Sequence, residues 1–385
     1  MKAYFHAIHF LKSVNGDNHT MKAKNINNNI QALRAIAILL VIIQHIHRLP
    51  VPAWLIETYS KFSYWTGVDI FLAISGYLMC KSLNSELINA PNKYSAFSLF
   101  FKKRIYRLVP ALIFWLAACL VLSFFLEPLF EISINKSLQT FIYSMLAISN
   151  LFYFLQTAHG FSYDPLLSVT WSLSLEWQLY LVLAILFIYL SKSKFKISLI
   201  AIVVFSSLAL PNGANHQDTI GWWIRPQAFM LGALSFLYEE RIKSIRLGNL
   251  LTFCIFASSL FCLVACTSMI DHAFKLFFIG FMGAIVFVSL GLLFSETNFI
   301  ILNWIGDRSY SIYLCHIPSM LISKLLMDSI LSATNHEGSS ILYITTFIII
   351  TLIFSSISYE LIEKRFIYIY KAKKNSSSAE RSDSA

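Results

Sequence analysis

An arginine and a histidine stand eleven residues apart in QALRAIAILLVIIQHIHR, residues 31–48, within a stretch otherwise apolar enough to be buried in a bilayer. At about 100° and 1.5 Å per residue, a helix returns Arg34 and His45 to nearly one face, roughly 16 Å apart along its axis. Both groups are costly in lipid, so that face is expected to look into a protein interior. A neutral imidazole there can take a proton from a hydroxyl or be acylated itself. It can equally be a core histidine bonded to a carbonyl, and the residues alone leave these options open.

Comparable groups interrupt other apolar runs. TGVDIFLAISGYLMCKS puts Asp69, Ser75, Gly76 and Tyr77 in a second span. Asp69 is expected to pair with His45 or Arg48 across a short loop, or to form a plain structural ion pair; Gly76 suits close helix packing. In FKKRIYRLVP, Arg104 and Arg107 share a helix face beside Lys102 and Lys103. They can clamp an anion with guanidinium forks, or simply mark a cytoplasmic helix end beside anionic head groups. SVTWSLSLEWQLYLVL spaces Ser172, Glu176 and Tyr180 four residues apart, next to Trp171. Aromatic anchoring explains Trp171 and Tyr180 but not Glu176, which is expected to face the same cavity as His45. Arg225, after Trp222 and Trp223, is either another polar wall or an interfacial anchor. IGDRSYSIYLCHIP brings Tyr313 and His316 into one span, where Pro318 would free a carbonyl for the imidazole.

These groups need a scaffold, and the composition restricts it. The chain has 385 residues, 57% hydrophobic and only 13% charged, against about a quarter charged in soluble domains. Apolar runs recur along nearly the whole length, leaving no room for a soluble domain of about 100 residues. The formal charge of +10 does not imply nucleic acid, because the cations sit in loops between apolar runs rather than on one exposed face. The six cysteines fall inside or at the ends of apolar runs and are expected to form no disulfide and no metal site.

An all-α polytopic membrane fold follows, with about ten transmembrane helices near 33–48, 66–83, 107–126, 170–190, 197–211, 222–238, 249–267, 273–294, 303–327 and 341–362. The run 138–156 is expected to be re-entrant or interfacial. With both termini cytoplasmic, that arrangement places 24 of the 30 Lys and Arg residues inside or at cytoplasmic helix ends. If 138–156 crossed, the basic loops at 192–196 and 364–374 would face outward. Residues 1–30 read as a cytoplasmic tail whose true start is Met1 or Met21, residues 31–367 as the membrane domain, and 368–385 as a cytoplasmic tail, disordered after Asn375.

In order along the chain, LRAIAILLVIIQH, GVDIFLAISGYLM, KKRIYRLVP, WSLSLEWQLY, RPQAFMLGAL, IGDRSYSIYLCHIP and SYELIEKRF resemble the integral-membrane acyltransferase family 3, from about residue 30 to 366. The resemblance implies an O-acetyltransferase of a bacterial cytoplasmic (inner) membrane. Such an enzyme would move acetyl from cytoplasmic acetyl-CoA to a hydroxyl of an extracytoplasmic carbohydrate or glycolipid, such as O-antigen or exopolysaccharide. It further implies that Arg34 and His45 are essential, that Arg104 and Arg107, with Lys103 beside them, serve the acyl-CoA donor, and that Trp171, Ser172, Leu173 and Glu176 form a family motif. Trp177 stands where a second acid is common and Ala35 where glycine is common, leaving Glu176 as the lone acid of its motif. A fused esterase-like domain is not expected, so final transfer falls to the membrane domain or to a separate extracytoplasmic protein. Asp69 or Glu176 would orient His45 in a cavity between the first, second, fourth, sixth and ninth spans. A transporter or flippase, and an inactive scaffold, are the rival readings.

Overall fold

In hydrocarbon every backbone N–H and C=O must be satisfied within the protein, so apolar runs of this length cross as helices. The computed structural model describes residues 26–383 except 131–132, 163, 211–216, 271, 296 and 335–338, and every regular element among the described residues is helical. The elements that matter here are α1 (Ile26–His45), α2 (Gly67–Asn89), α3 (Lys93–Phe130), α4 (Ile134–Met145), α5 (Ser149–Ala158), α6 (Thr170–Tyr189), α7 (Lys192–Ala209), α8 (Gln227–Leu237), α9 (Asn249–Phe261), α10 (His272–Val288), α11 (Ile300–Asp307), α12 (Ser309–Thr334), α13 (Ser340–Ser358) and α14 (Lys364–Asp383).

Eight stretches among the described residues are long and apolar enough to span a membrane. Two of the ten expected spans fall short of that standard. Helix α7 opens with Lys192, Lys194 and Lys196, and α8 has only 11 residues, about 16 Å against a hydrocarbon core of about 30 Å. The amino-terminal tail and the choice between Met1 and Met21 lie outside the described residues. At the other end the expectation of disorder after Asn375 is corrected, because α14 runs to Asp383. Once nucleated over KRFIYIYKAKK, a helix extends at little cost per residue.

The run 138–156 is a broken pair, α4 and α5, turning at Ala147 with φ of 56°. Lys136 donates to Ser162 Oγ at 2.5 Å and Thr157 donates to the Gln217 carbonyl at 2.7 Å. The turn instead meets the middle of α6, where Gln178 donates to the Ala147 carbonyl at 2.8 Å. The segment therefore enters and returns on the same end of the bundle. Beyond the break, Ser149 and Asn150 are buried against α6, where Ser149 meets Ser174 Oγ at 2.7 Å.

Helices α2 and α8 pack backbone to backbone. A Cβ at Gly76 would lie 1.9 Å from the Phe229 carbonyl oxygen, and one at Gly232 would lie 2.0 Å from that of Ala73, so only glycine permits this crossing. At one end of the bundle the basic loops converge. Lys81 reaches Glu239 at 3.7 Å, Lys103 reaches Glu86 at 3.9 Å, and Arg308 reaches Glu360 at 3.0 Å. The other end carries Arg48, which donates to the Pro165 carbonyl at 2.7 Å.

Candidate active site

Where α1, α2, α3, α6 and α12 come together, a pocket of about 760 Å³, its open mouth included, penetrates the bundle. Arg34 enters from α1, Ser75 from α2, Arg104 and Arg107 from α3, Ser172, Glu176 and Tyr180 from α6, and Tyr310 and Tyr313 from α12. The helical period explains two of these groupings. Arg104 and Arg107 lie three apart, and Ser172, Glu176 and Tyr180 four apart, so each set falls on one face.

Three guanidinium groups line this pocket against one carboxylate, Glu176. Glu176 accepts from the Ser75 hydroxyl and from the Tyr180 phenol. Arg104 is buried, stands 5.9 Å over the Phe100 ring, and has an Nε with no acceptor among the described residues. Arg34 donates to Gln31 Oε1 at 3.2 Å, and Gln31 is held by Asp307 Oδ1 at 2.7 Å. With three cations against one carboxylate in its lining, the pocket favours an anion.

Glu363 stands behind these arginines and belongs to the site, although its residue type alone did not single it out. It is buried, accepts from Ser311, and interacts electrostatically with Arg107 and Arg34. A π-turn over Tyr359–Glu363 breaks the regular period there, and such turns re-aim side chains at functional sites. The charged run Glu360, Glu363, Lys364 and Arg365 at the helix end hid it among ordinary surface charges.

His45 does not line the pocket. It sits one layer toward the Arg48 end, its Nδ1 2.8 Å from the Val41 carbonyl. A ring nitrogen facing a carbonyl must carry the proton, which leaves the Nε2 lone pair as the base. The His45 and His316 ring centroids are 5.2 Å apart, and those of His316 and Tyr313 are 5.8 Å apart. The Tyr313 phenol meets Ser172 Oγ at 2.6 Å, so the imidazoles adjoin the pocket through its own wall. His316 Nδ1 reaches the carbonyls of Tyr313 at 2.8 Å and Ile312 at 3.2 Å. These belong to the preceding turn, not to the Leu314 carbonyl that Pro318 leaves free, because an i−3 or i−4 carbonyl is the one a helical side chain can reach.

Several sequence expectations need correction. Asp69 contacts neither His45 nor Arg48; it forms instead the plain structural ion pair that is its other reading, with Arg225 Nε at 3.3 Å and both side chains almost wholly buried. The α2–α8 crossing holds the two together, and it places Arg225 behind the pocket wall, so the sixth expected span does not line the pocket while α3 does. Glu176 is engaged with Ser75 and Tyr180 rather than with His45. Lys103 is largely exposed and lies near Glu86, about 100° around α3 from Arg104. Tyr77 packs against Phe236 and Phe287, with Lys81 donating to its hydroxyl at 3.3 Å. Trp171 closes over Arg225, whose guanidinium lies 4.5, 4.9 and 5.4 Å from the rings of Trp65, Trp171 and Trp222.

A family model described as an acyltransferase domain matches residues 27–360. A peptidoglycan O-acetyltransferase of Listeria monocytogenes is 25% identical over 375 residues, covering 90% of this chain and 57% of its own length. A putative peptidoglycan O-acetyltransferase of Bacillus subtilis is 27% identical over 366 residues, covering 87% and 54%. An O-acetyltransferase of Staphylococcus aureus is 25% identical over 382 residues, covering 89% and 59%. The chain thus spans somewhat more than half the length of these relatives. No solved structure matches it.

Proposed function

As the chain belongs to that acyltransferase family and is a multi-pass membrane protein, we propose that it is an O-acetyltransferase moving acetyl from acetyl-CoA to a hydroxyl of a cell-envelope carbohydrate. The observation that carries this reading is the pocket in which Arg34, Arg104 and Arg107 surround a single carboxylate, Glu176. Coenzyme A is a polyanion, and guanidinium forks suit its phosphates. In the reaction Arg104 and Arg107 hold those phosphates on the cytoplasmic side of a bacterial inner membrane, and Arg34 steadies the thioester carbonyl as negative charge develops on its oxygen. His45, reached from the opposite side, takes the acceptor hydroxyl's proton or carries the acetyl group for one step. Carbohydrate acceptors agree with relatives whose names specify peptidoglycan.

The test compares acetyl esters on envelope carbohydrate, by mass spectrometry, between cells with and without this chain. An acetyl increment that depends on the chain is expected. Identical ester content in both would sink the reading. Arg104→Ala is further expected to raise the KM for acetyl-CoA by about 10- to 100-fold, from the loss of a charged hydrogen bond worth about 1.5–3 kcal/mol. Initial rates in membrane vesicles check it, and an unchanged KM would remove Arg104 from the donor site.

A further inference from the structure

Resting on that reading, we propose that His316 is the second imidazole of a proton-transfer pair with His45 and connects that base to the donor pocket through Tyr313 and Ser172. Acyl transfer from a thioester carries a topological demand. The acceptor oxygen bonds to the acyl carbon as its O–H proton is removed, the C–S bond breaks, and the electron pair leaves on sulfur as a thiolate. The proton must then reach that thiolate to give the free thiol. In that step the base, the acceptor oxygen and the sulfur meet at one acyl carbon, but His45 stands outside the pocket that holds the arginines, so once the coenzyme settles back on them the proton on His45 and the thiolate are separated by the pocket wall.

His316, Tyr313 and Ser172 lie between them, with a water needed on either side of His316, whose Nε2 meets no protein partner among the described residues. His45 and His316 rings are 5.2 Å apart between centroids, at an interplanar angle of 59°. This brings them near enough for proton exchange through one bridging water. Both imidazoles spend Nδ1 on carbonyls of their own helices, Val41 for His45 and Tyr313 and Ile312 for His316. That arrangement fixes matching tautomers and reserves each Nε2 for exchange. His316 is fully buried, and its Nε2 has no partner among the described residues. A merely structural histidine would leave a buried acceptor unsatisfied at a cost of about 1–3 kcal/mol. Beyond it, Tyr313 and Ser172 share a hydrogen bond of 2.6 Å and both line the pocket; each also reaches the Val169 carbonyl, at 3.0 and 3.3 Å, and by turning from it the two hydroxyls return the proton toward the leaving sulfur. His316 acts through His45, as a positioning and relay residue rather than one that touches the acceptor.

The test uses membrane vesicles from cells whose only copy is wild type, His45→Ala, His316→Gln or Tyr313→Phe, supplied with labelled acetyl-CoA. Label in the carbohydrate fraction is counted in H₂O and D₂O. His316→Gln is expected to lower the transfer rate about 100-fold while the KM for acetyl-CoA stays within about twofold. Tyr313→Phe, which keeps the ring and its packing, is expected to lower the rate about tenfold and to diminish the solvent isotope effect. A His316→Gln rate within about twofold of wild type, or a fall in rate matched by a rise in KM, overturns the relay. If His316→Gln fails to accumulate in the membrane, Tyr313→Phe decides, and an unchanged rate and isotope effect overturn it. Unlabelled carbohydrate in wild-type vesicles would instead refute the proposed function. Label in wild type and His316→Gln but not in His45→Ala refutes this inference alone.

Discussion

His45→Ala is expected to reduce acetyl transfer by about 10²- to 10⁴-fold, the range that a positioned general base or nucleophile contributes. The expectation starts from geometry. The Val41 carbonyl, 2.8 Å from Nδ1, settles which nitrogen is protonated and leaves Nε2 to accept from a hydroxyl or to attack a thioester. The side chain is partly exposed while its helix neighbours Val41 and Ile46 are buried, so an acceptor can reach the imidazole without unfolding the helix end. Because His45 is outside the pocket lined by Arg34, Arg104 and Arg107, its removal should leave acetyl-CoA binding within about twofold, a fall in kcat without a matching rise in KM. Initial rates of label transfer and calorimetric binding to the purified protein check both halves. A variant that keeps more than about a tenth of the rate would exclude His45 as base and as acyl carrier. One that loses donor binding with the rate would place it in the donor site instead.

Several parts of this architecture were legible because they depend on local rules. Eleven residues put Arg34 and His45 on one face, and spacings of three and four built the arginine pair and the Ser172–Glu176–Tyr180 stripe. Spacing gives an angle about the axis, however, and not a depth in the bundle. Arg34 reached the pocket while His45 came to lie beyond its wall, next to a histidine from α12. Of the two readings of Asp69, pairing with His45 or Arg48 failed for a related reason. The nearest cations in sequence were expected to be its partners, but the reciprocal glycine contacts of α2 and α8 bring in Arg225 from a distant span. Lys103 and Arg104 read alike as consecutive cations, yet one helical step separates an exposed side chain from a buried one. Glu363 depended on a π-turn, which no 3.6-residue periodicity anticipates. Long-range packing decided each of these cases, and packing is the information that a period cannot carry.

Asp69→Ala is expected to destabilise the protein by about 3–5 kcal/mol, the cost of stranding one member of a buried ion pair. The side chains of Asp69 and Arg225 are 2% and 1% exposed, with Oδ1 and Nε 3.3 Å apart. Arg225 Nη1 and Nη2 have no hydrogen-bond acceptor among the described residues. The guanidinium therefore relies on Asp69 and on the faces of Trp65, Trp171 and Trp222, and ring faces are worth about 2 kcal/mol when desolvated. They soften the loss of the carboxylate without replacing it. The paired replacement Asp69→Leu with Arg225→Met removes both charges and fills similar space, so it should recover most of the stability lost by Asp69→Ala, whereas Arg225→Met alone leaves a buried carboxylate and should be as damaging as Asp69→Ala. Thermal unfolding in detergent of wild type, Asp69→Leu, Arg225→Met and the double replacement measures the coupling. Additive losses would mean that the two charges do not stabilise each other across α2 and the segment preceding α8. Strong coupling would make the pair the fastening that holds the Val68, Phe71 and Leu72 face of α2 in place as a wall of the pocket. In that case Asp69→Ala should also loosen acetyl-CoA binding, although Asp69 lies outside the lining, and the double replacement should restore binding together with stability.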